Sequence, residues 1–249
     1  MRIAVSEYFY SLQGEGVTMG IPAVFLRLGG CNLMCGGHGT ERSGKLHDGA
    51  TWRCDTIEVW MKSQSRSFPE LCMEMEASVG ALTRMREGAH LVITGGEPLL
   101  QQERVVGFLL FLESEFGIVP TIEIETNATI IPLPELDARV HYWNTSPKLS
   151  NSGMPESERI IPQVLSWFAQ NSKTMTKLVI NEESDWHEIQ RTLLLPGLVQ
   201  RKQIVLMPAA GSRQQLLDVN VLVADICIKE GLRMCTRLHV EIWDKLTGV

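Results

Sequence analysis

Short β-branched or aromatic runs that end at turn residues recur along this chain, separated by longer segments with helical spacing. The runs are Ile3–Phe9, Ala23–Leu28, His90–Thr94, Thr121–Glu125, His141–Asn144, Lys177–Ile180, Ile204–Met207 and Leu238–Trp243. Between them, Phe68–Arg84 carries apolar side chains at 68, 71, 72, 75, 79 and 82, one stripe at helical period. Leu99–Phe116 and Leu216–Ile228 are apolar along one side. Ser157–Phe168 and Ser184–Leu194 read as shorter helices, with Ser157 and Ser184 as N-cap candidates. Parallel neighbours need a crossover, so strands alternating with helices imply βαβ units. Roughly six such units in 249 residues predict an α/β fold, either a small or incomplete barrel or an open parallel sheet. No internal repeat or linker divides the chain, which reads as one domain over residues 1–249.

Charge and composition narrow the function. With 23 Lys+Arg against 29 Asp+Glu the net charge is −6, which argues against charge-driven binding of nucleic acid. The longest apolar stretch, Val105–Leu112, is far short of the ~20 residues that a membrane helix requires. The start, MRIAVSEYFY, lacks the basic and long apolar segments of a secretory signal, so a cytoplasmic address is expected. In a reducing compartment, six cysteines are not expected to form a disulfide framework; a tight group of them points to metal or catalysis.

The unusual residues follow the strands. After the first comes Gln13-Gly14-Glu15-Gly16, and after the second Gly29-Gly30-Cys31-Asn32-Leu33-Met34-Cys35. Later strands lead into Thr94-Gly95-Gly96-Glu97-Pro98, Glu125-Thr126-Asn127, Ser146-Pro147-Lys148 and Met207-Pro208. Carboxyl ends of parallel strands form the active-site rim, so these turns predict one ligand-filled mouth.

Cys31, Cys35 and Cys54 form a C-x3-C-x18-C pattern, interrupted by the glycine-rich and charged loop 36–53. Three thiolates suit an iron–sulfur cubane with one open iron. Zinc is the alternative, with His47, inside a loop that also carries His38, completing a Cys3His tetrahedron; idle thiols are a third. Cys72, Cys227 and Cys235 read as buried structural thiols. Glycines at 95 and 96 admit a ligand close to the backbone, and Pro98 opens the next helix. Arg27, polar in an apolar strand, is either a surface residue or a bidentate partner for a carboxylate.

Cys31-x3-Cys35 together with Gly95-Gly96-Glu97-Pro98 resembles the radical S-adenosylmethionine enzymes. With Gln13-Gly14-Glu15-Gly16, Arg27, Cys54-Asp55-Thr56, Glu125-Thr126-Asn127 and Ser146-Pro147-Lys148, the chain is similar over residues 6 to 148 to the 7-carboxy-7-deazaguanine synthases. That resemblance implies a partial, modified (β/α) barrel of the radical S-adenosylmethionine type. It implies a 4Fe–4S cluster on Cys31, Cys35 and Cys54, whose open iron chelates S-adenosylmethionine. Its reductive cleavage yields a radical that abstracts hydrogen from 6-carboxy-5,6,7,8-tetrahydropterin; the ring contracts, ammonia leaves, and 7-carboxy-7-deazaguanine forms for queuosine synthesis. Carried onto this sequence, Gly96, Glu97, Glu125, Ser146 and Lys148 contact the cofactor. Leu12, Gln13, Gly14, Glu15, Arg27 and Thr94 hold the pterin, and Thr56 ligates Mg2+, unless its hydroxyl serves instead to cap the helix that follows. The family further implies a homodimer and an electron donor such as flavodoxin. The 18-residue interval before Cys54 and Met207 at the late strand end depart from the common pattern. A radical activase acting on a partner protein shares the cluster but needs a docking groove, and a zinc-binding module would be non-catalytic.

Overall fold

The computed structural model describes residues 1–36, 46, 49–246 and 248. One nine-stranded sheet runs through it: β1 (Arg2–Leu12), β2 (Pro22–Leu28), β3 (Gln64–Ser67), β4 (His90–Gly95), β5 (Ile122–Thr126), β6 (Tyr142–Thr145), β7 (Thr174–Ile180), β8 (Ile204–Pro208) and β9 (Arg233–Met234). Spatial order is β3-β1-β2-β4-β5-β6-β7-β8-β9. From β2 onward every pairing is parallel, the α/β arrangement expected, and the two edges do not meet, so the barrel is partial. The helices are α1 (Ile57–Trp60), α2 (Phe68–Val79), α3 (Ala81–Arg86), α4 (Gln102–Phe116), α5 (Pro134–Asp137), α6 (Glu156–Arg159), α7 (Pro162–Gln170), α8 (Glu183–Ile189), α9 (Arg213–Glu230) and α10 (Leu238–Trp243). None is long and apolar enough to cross a membrane.

Parallel strands covered on both faces read as continuous apolar runs, and β2, β4 and β8 are buried along most of their length. Their outward side chains meet the helical stripes in one core around Leu26, Leu91, Ile124 and Trp143. Trp143 is fully buried and edge-on to Trp167 and Phe168 of α7. The stripe of α2 buries Phe68, Leu71, Cys72 and Met75 as its spacing requires. A capping box starts that helix: Ser67 and Glu70 satisfy each other's backbone N–H groups.

Several expectations need correction. The segment 68–84 is two helices, because Gly80 takes a left-handed C-cap (φ 61°) that ends α2. Segment 157–168 breaks likewise, since Pro162 cannot continue a helix and starts α7 instead. Neither Ser157 nor Ser184 is an N-cap; Glu182 and Asp185 make the capping box of α8. Leu238–Trp243 alternates like a strand but is α10, because the adjacent edge position is already taken by β9. The chain there turns over the mouth. The strands β3 and β9 went unread: β3 is Gln-Ser-Arg-Ser, an edge strand without an apolar side chain, and β9 has two residues.

The largest difference concerns β1. It is antiparallel to both neighbours, with Leu12 opposite Pro22 at the amino end of β2. Its carboxyl end therefore does not belong to the rim. The loop that follows enters from the opposite side and forms a floor, anchored by Thr18 Oγ1 donating to buried Glu123 of β5 at 2.7 Å.

Candidate active site

A cavity of about 760 Å³ opens at the carboxyl ends of the parallel strands, within the range of ligand-binding clefts. Alternation along a strand puts every second side chain on one face. Phe25 and Arg27, Lys177 and Val179 line the cavity in pairs of this kind, and Thr94, Glu125 and Asn144 come from the strands between them. Register sets Arg27 beside Thr94 and Glu125 beside Asn144.

One end of the cavity is a thiol cradle. Cys31, Cys35 and Cys54 all line it. The interval 36–53 is closed at its base by the Cys54 N–H donating to the Cys35 carbonyl at 3.1 Å, so the long insertion returns its last cysteine to the other two. Burial, with a smaller contribution from the nearby Cys54, pushes the Cys31 thiol up to about 12 and that of Cys35 to about 11. Gly96 is packed against the same place. A Cβ there would run into the Gly30 carbonyl and stand 2.7 Å from Cys31 Cβ. Among the described residues no three His, Cys, Asp or Glu side chains converge on a single ion, and His38 and His47 lie outside the described residues. A cubane takes its thiolates on separate irons, around a volume and not a point, so an all-thiol set lining one cavity suits it.

The residues beside the cradle are differently placed. Lys148 Nζ donates to Ser146 Oγ at 3.1 Å and lies 5.8 Å from the ring centre of Trp52, on the returning limb of the insertion. Thr56 is the N-cap residue of α1 yet makes no side-chain cap; its hydroxyl is 3.2 Å from Cys54 Sγ. Glu97 is fully buried and does not line the cavity. Its carboxylate accepts from Leu99 N–H, Thr126 Oγ1 and Asn127 N–H at 2.9, 2.9 and 2.7 Å, while burial raises it to about 7.

The other end is charged. Leu12, Gln13, Gly14, Glu15, Arg27 and Thr94 all line it. Glu125 joins this end: it accepts from Thr94 Oγ1 at 2.8 Å and from Gln13 Nε2 at 3.3 Å. Arg27 is no surface residue. Its Nε donates to Glu7 at 2.7 Å across the β1–β2 pair, and its Nη atoms make no hydrogen bond among the described residues. Phe9 and Phe25 stack at 4.8 Å beside it.

Four further charged groups meet here: Lys177, a mouth-lining candidate in the sequence, Asp55 of the Cys54-Asp55-Thr56 motif, and Arg237 and His239, which were not singled out from sequence. Glu15 pairs with Lys177 Nζ and accepts from Arg237 Nε at 2.9 Å, with His239 Nε2 at 4.0 Å. Burial disfavours the Glu15 charge, but Lys177, Arg237 and His239 outweigh it and hold the carboxyl well below its usual range. Burial in turn lowers His239. Gly14 has no Cβ because the imidazole Nδ1 of His239 fills that space. Lys177 was visible as a lone cation in an apolar strand; the C-terminal residues offered no signal of their own.

No family model matches the chain. It is 31% identical over 247 residues to a protein of Pyrobaculum aerophilum named 7-carboxy-7-deazaguanine synthase, covering 99% of this chain and 97% of that one. A protein of the same name from Methanospirillum hungatei is 35% identical, covering 94% and 83%. Among solved structures, QueE from Escherichia coli superimposes with TM-score 0.61 at 25% identity, over 96% of this chain and 95% of that one.

Proposed function

Because this chain belongs to the 7-carboxy-7-deazaguanine synthase family, we propose that the thiol end of its cavity takes the cluster and S-adenosylmethionine, and the charged end the pterin. The enzyme is a radical S-adenosylmethionine lyase that makes 7-carboxy-7-deazaguanine from 6-carboxy-5,6,7,8-tetrahydropterin with loss of ammonia, for queuosine synthesis. Its family leaves the activase and zinc-module readings without support.

When bound, the cluster and S-adenosylmethionine supply radical hydrogen abstraction. The protein's part is binding, orientation and exclusion of competing reactions. Cys31, Cys35 and Cys54 hold the cluster. Gly96, which lines the cavity, would receive the methionyl end of the cofactor, in a turn that the buried Glu97 carboxylate shapes through its three hydrogen bonds; Glu97 itself does not reach the cavity, so the direct contact expected of it becomes this supporting one. Glu125, Ser146 and Lys148 would contact the rest of the cofactor. Arg27 offers its open Nη edge to the pterin carboxylate, a match that the guanidinium fork favours. Leu12, Gln13, Gly14, Glu15 and Thr94 complete that pocket. Thr56, whose hydroxyl is not spent on a cap, gives Mg2+ a hard oxygen ligand. A homodimer and a flavodoxin-type electron donor complete the reading.

The observation that carries it is the return of Cys54 to Cys31 and Cys35 in one cavity, which Arg27 also lines with its Nη atoms making no hydrogen bond among the described residues. Anaerobic incubation with the pterin, S-adenosylmethionine, Mg2+ and a reductant tests it by mass spectrometry. The expected product is 7-carboxy-7-deazaguanine; unreacted pterin with an intact cluster would count against the substrate assignment.

A further inference from the structure

Three parts of the chain that the topology keeps apart meet at one guanidinium. Arg237, three residues beyond β9, donates from Nε to Glu15 Oε1 at 2.9 Å, from Nη2 to Asp55 Oδ2 at 3.0 Å, and from Nη1 to the Ala210 carbonyl. The next residue strengthens the join, with Leu238 N–H donating to the Gly14 carbonyl at 2.9 Å. Asp55 sits in sequence between Cys54 and Thr56.

We propose that Arg237 is a positioning residue that makes the placement of the cluster-bearing segment Cys54–Thr56 depend on the substrate end at Glu15. The proposal rests on the assignment of Cys54 to the cluster and of Glu15 to the pterin pocket. An arginine presents its donors in a rigid plane, so a tilt imposed through one donor is transmitted to the others. The plane is held through Nε by Glu15, itself fixed by Lys177, and through Nη1 by Ala210. Through Nη2 it meets Asp55, whose side chain is 55% exposed and has no further hydrogen bond among the described residues. Arg237 is therefore what orders Asp55. A pterin that draws Glu15 away from Arg237, or toward it, shifts the guanidinium and with it the segment on which Cys54 Sγ lies 3.2 Å from Thr56 Oγ1. Coupling of this kind is reciprocal: the loaded cluster orders Asp55 and so favours the Glu15 geometry that the pterin meets.

The test uses anaerobically reconstituted wild-type protein, Asp55→Asn, Asp55→Glu and Arg237→Lys. Iron and sulfide are counted, pterin affinity is measured with and without the cluster, and the paramagnetic resonance spectrum of the reduced cluster is recorded with and without pterin. In the wild type, pterin is expected to bind about tenfold tighter to the cluster-loaded form and to change the spectrum. Asp55→Asn and Arg237→Lys, with a full complement of iron, should bind pterin equally in both forms and leave the spectrum unchanged, since lysine has no fork to span two carboxylates. Asp55→Glu should restore both responses. Equal affinities in the two wild-type forms, or an Asp55→Asn protein that responds as the wild type does, would overturn the proposal. Wild-type protein that holds no iron would overturn the cluster assignment and this proposal together, a failure told apart by the iron count alone.

Discussion

At the scale of single residues, the carboxylate–cation pairs at Arg27 and at Glu15 do different work. Arg27 binds Glu7 through Nε alone, so its remaining edge is open for a ligand. Arg27→Ala should raise the pterin KM roughly thirtyfold, the equivalent of about 2 kcal/mol for a charged hydrogen-bonded contact, and leave the iron content unchanged. Steady-state kinetics with an iron assay checks this; an unchanged KM removes Arg27 from the pocket. Glu15, 13% exposed and held between Lys177 and Arg237, is the opposite case. Removing one partner of such a group leaves a buried charge uncompensated, and Glu15→Gln should cost about 3 kcal/mol at neutral pH. The sign with pH follows from its depressed titration. Below the ordinary carboxylate range the unfolded chain takes up this proton before the folded one does. The wild type's advantage over Glu15→Gln should therefore be full at neutral pH and shrink as the solution is acidified. Urea midpoints across that range measure it, and a gap that stays constant would mean the fold does not depress the Glu15 titration. Residue types were legible where they sat in motifs: the three cysteines, Gln13–Glu15 and Arg27 all reach the cavity. Arg237 was not, because it meets Glu15 across 222 residues and no local pattern marks a partner so distant.

At the scale of elements, alternation and apolar runs located the parallel strands β2, β4, β5, β6 and β8 to within about a residue, since burial on both faces leaves a strong signal, whereas β7 begins three residues before the run that marked it, at Thr174. Pairing direction left none. Strand β1 is as β-branched and aromatic as its neighbours, yet it runs antiparallel, and its loop becomes a floor where a rim segment was expected. Short alternation misled at Leu238–Trp243, where six residues fit either period and the sheet edge was already occupied. The β2 and β4 ends meet most tightly at the glycine pair. A side chain at Gly96 would strike the Gly30 carbonyl, which accepts from Glu97 N–H, and the Cys31 side chain, and Gly95 adopts φ +150° against Leu28. Gly96→Ala should cost about 2 kcal/mol of stability and abolish cluster loading by forcing those strand ends apart. Thermal unfolding with an iron assay reads both effects; a variant of normal stability and iron content would show that the close approach is not needed.

At the scale of the whole molecule, an open sheet comes to frame a cavity through three additions that are not barrel strands. The β1–β2 loop supplies the floor, the insertion 36–53 returns Cys54 and Trp52 to the rim, and the C-terminal segment with Arg237 bridges the side that strands leave open. The α/β class followed from the sequence because alternation of strands and helices is a property of the entire chain. These closures did not, because each depends on where distant segments land once the sheet has formed. All of the proposed chemistry depends on Cys31, Cys35 and Cys54 together holding one cluster that would leave an iron free. Iron and acid-labile sulfide in anaerobically purified protein, with resonance spectra of the reduced form before and after S-adenosylmethionine, test that most directly. The expected result is a 4Fe–4S cluster whose spectrum changes when S-adenosylmethionine is added, and its loss in Cys54→Ala. Pale protein with one zinc per chain and no sulfide, or a normal cluster in Cys54→Ala, would contradict it.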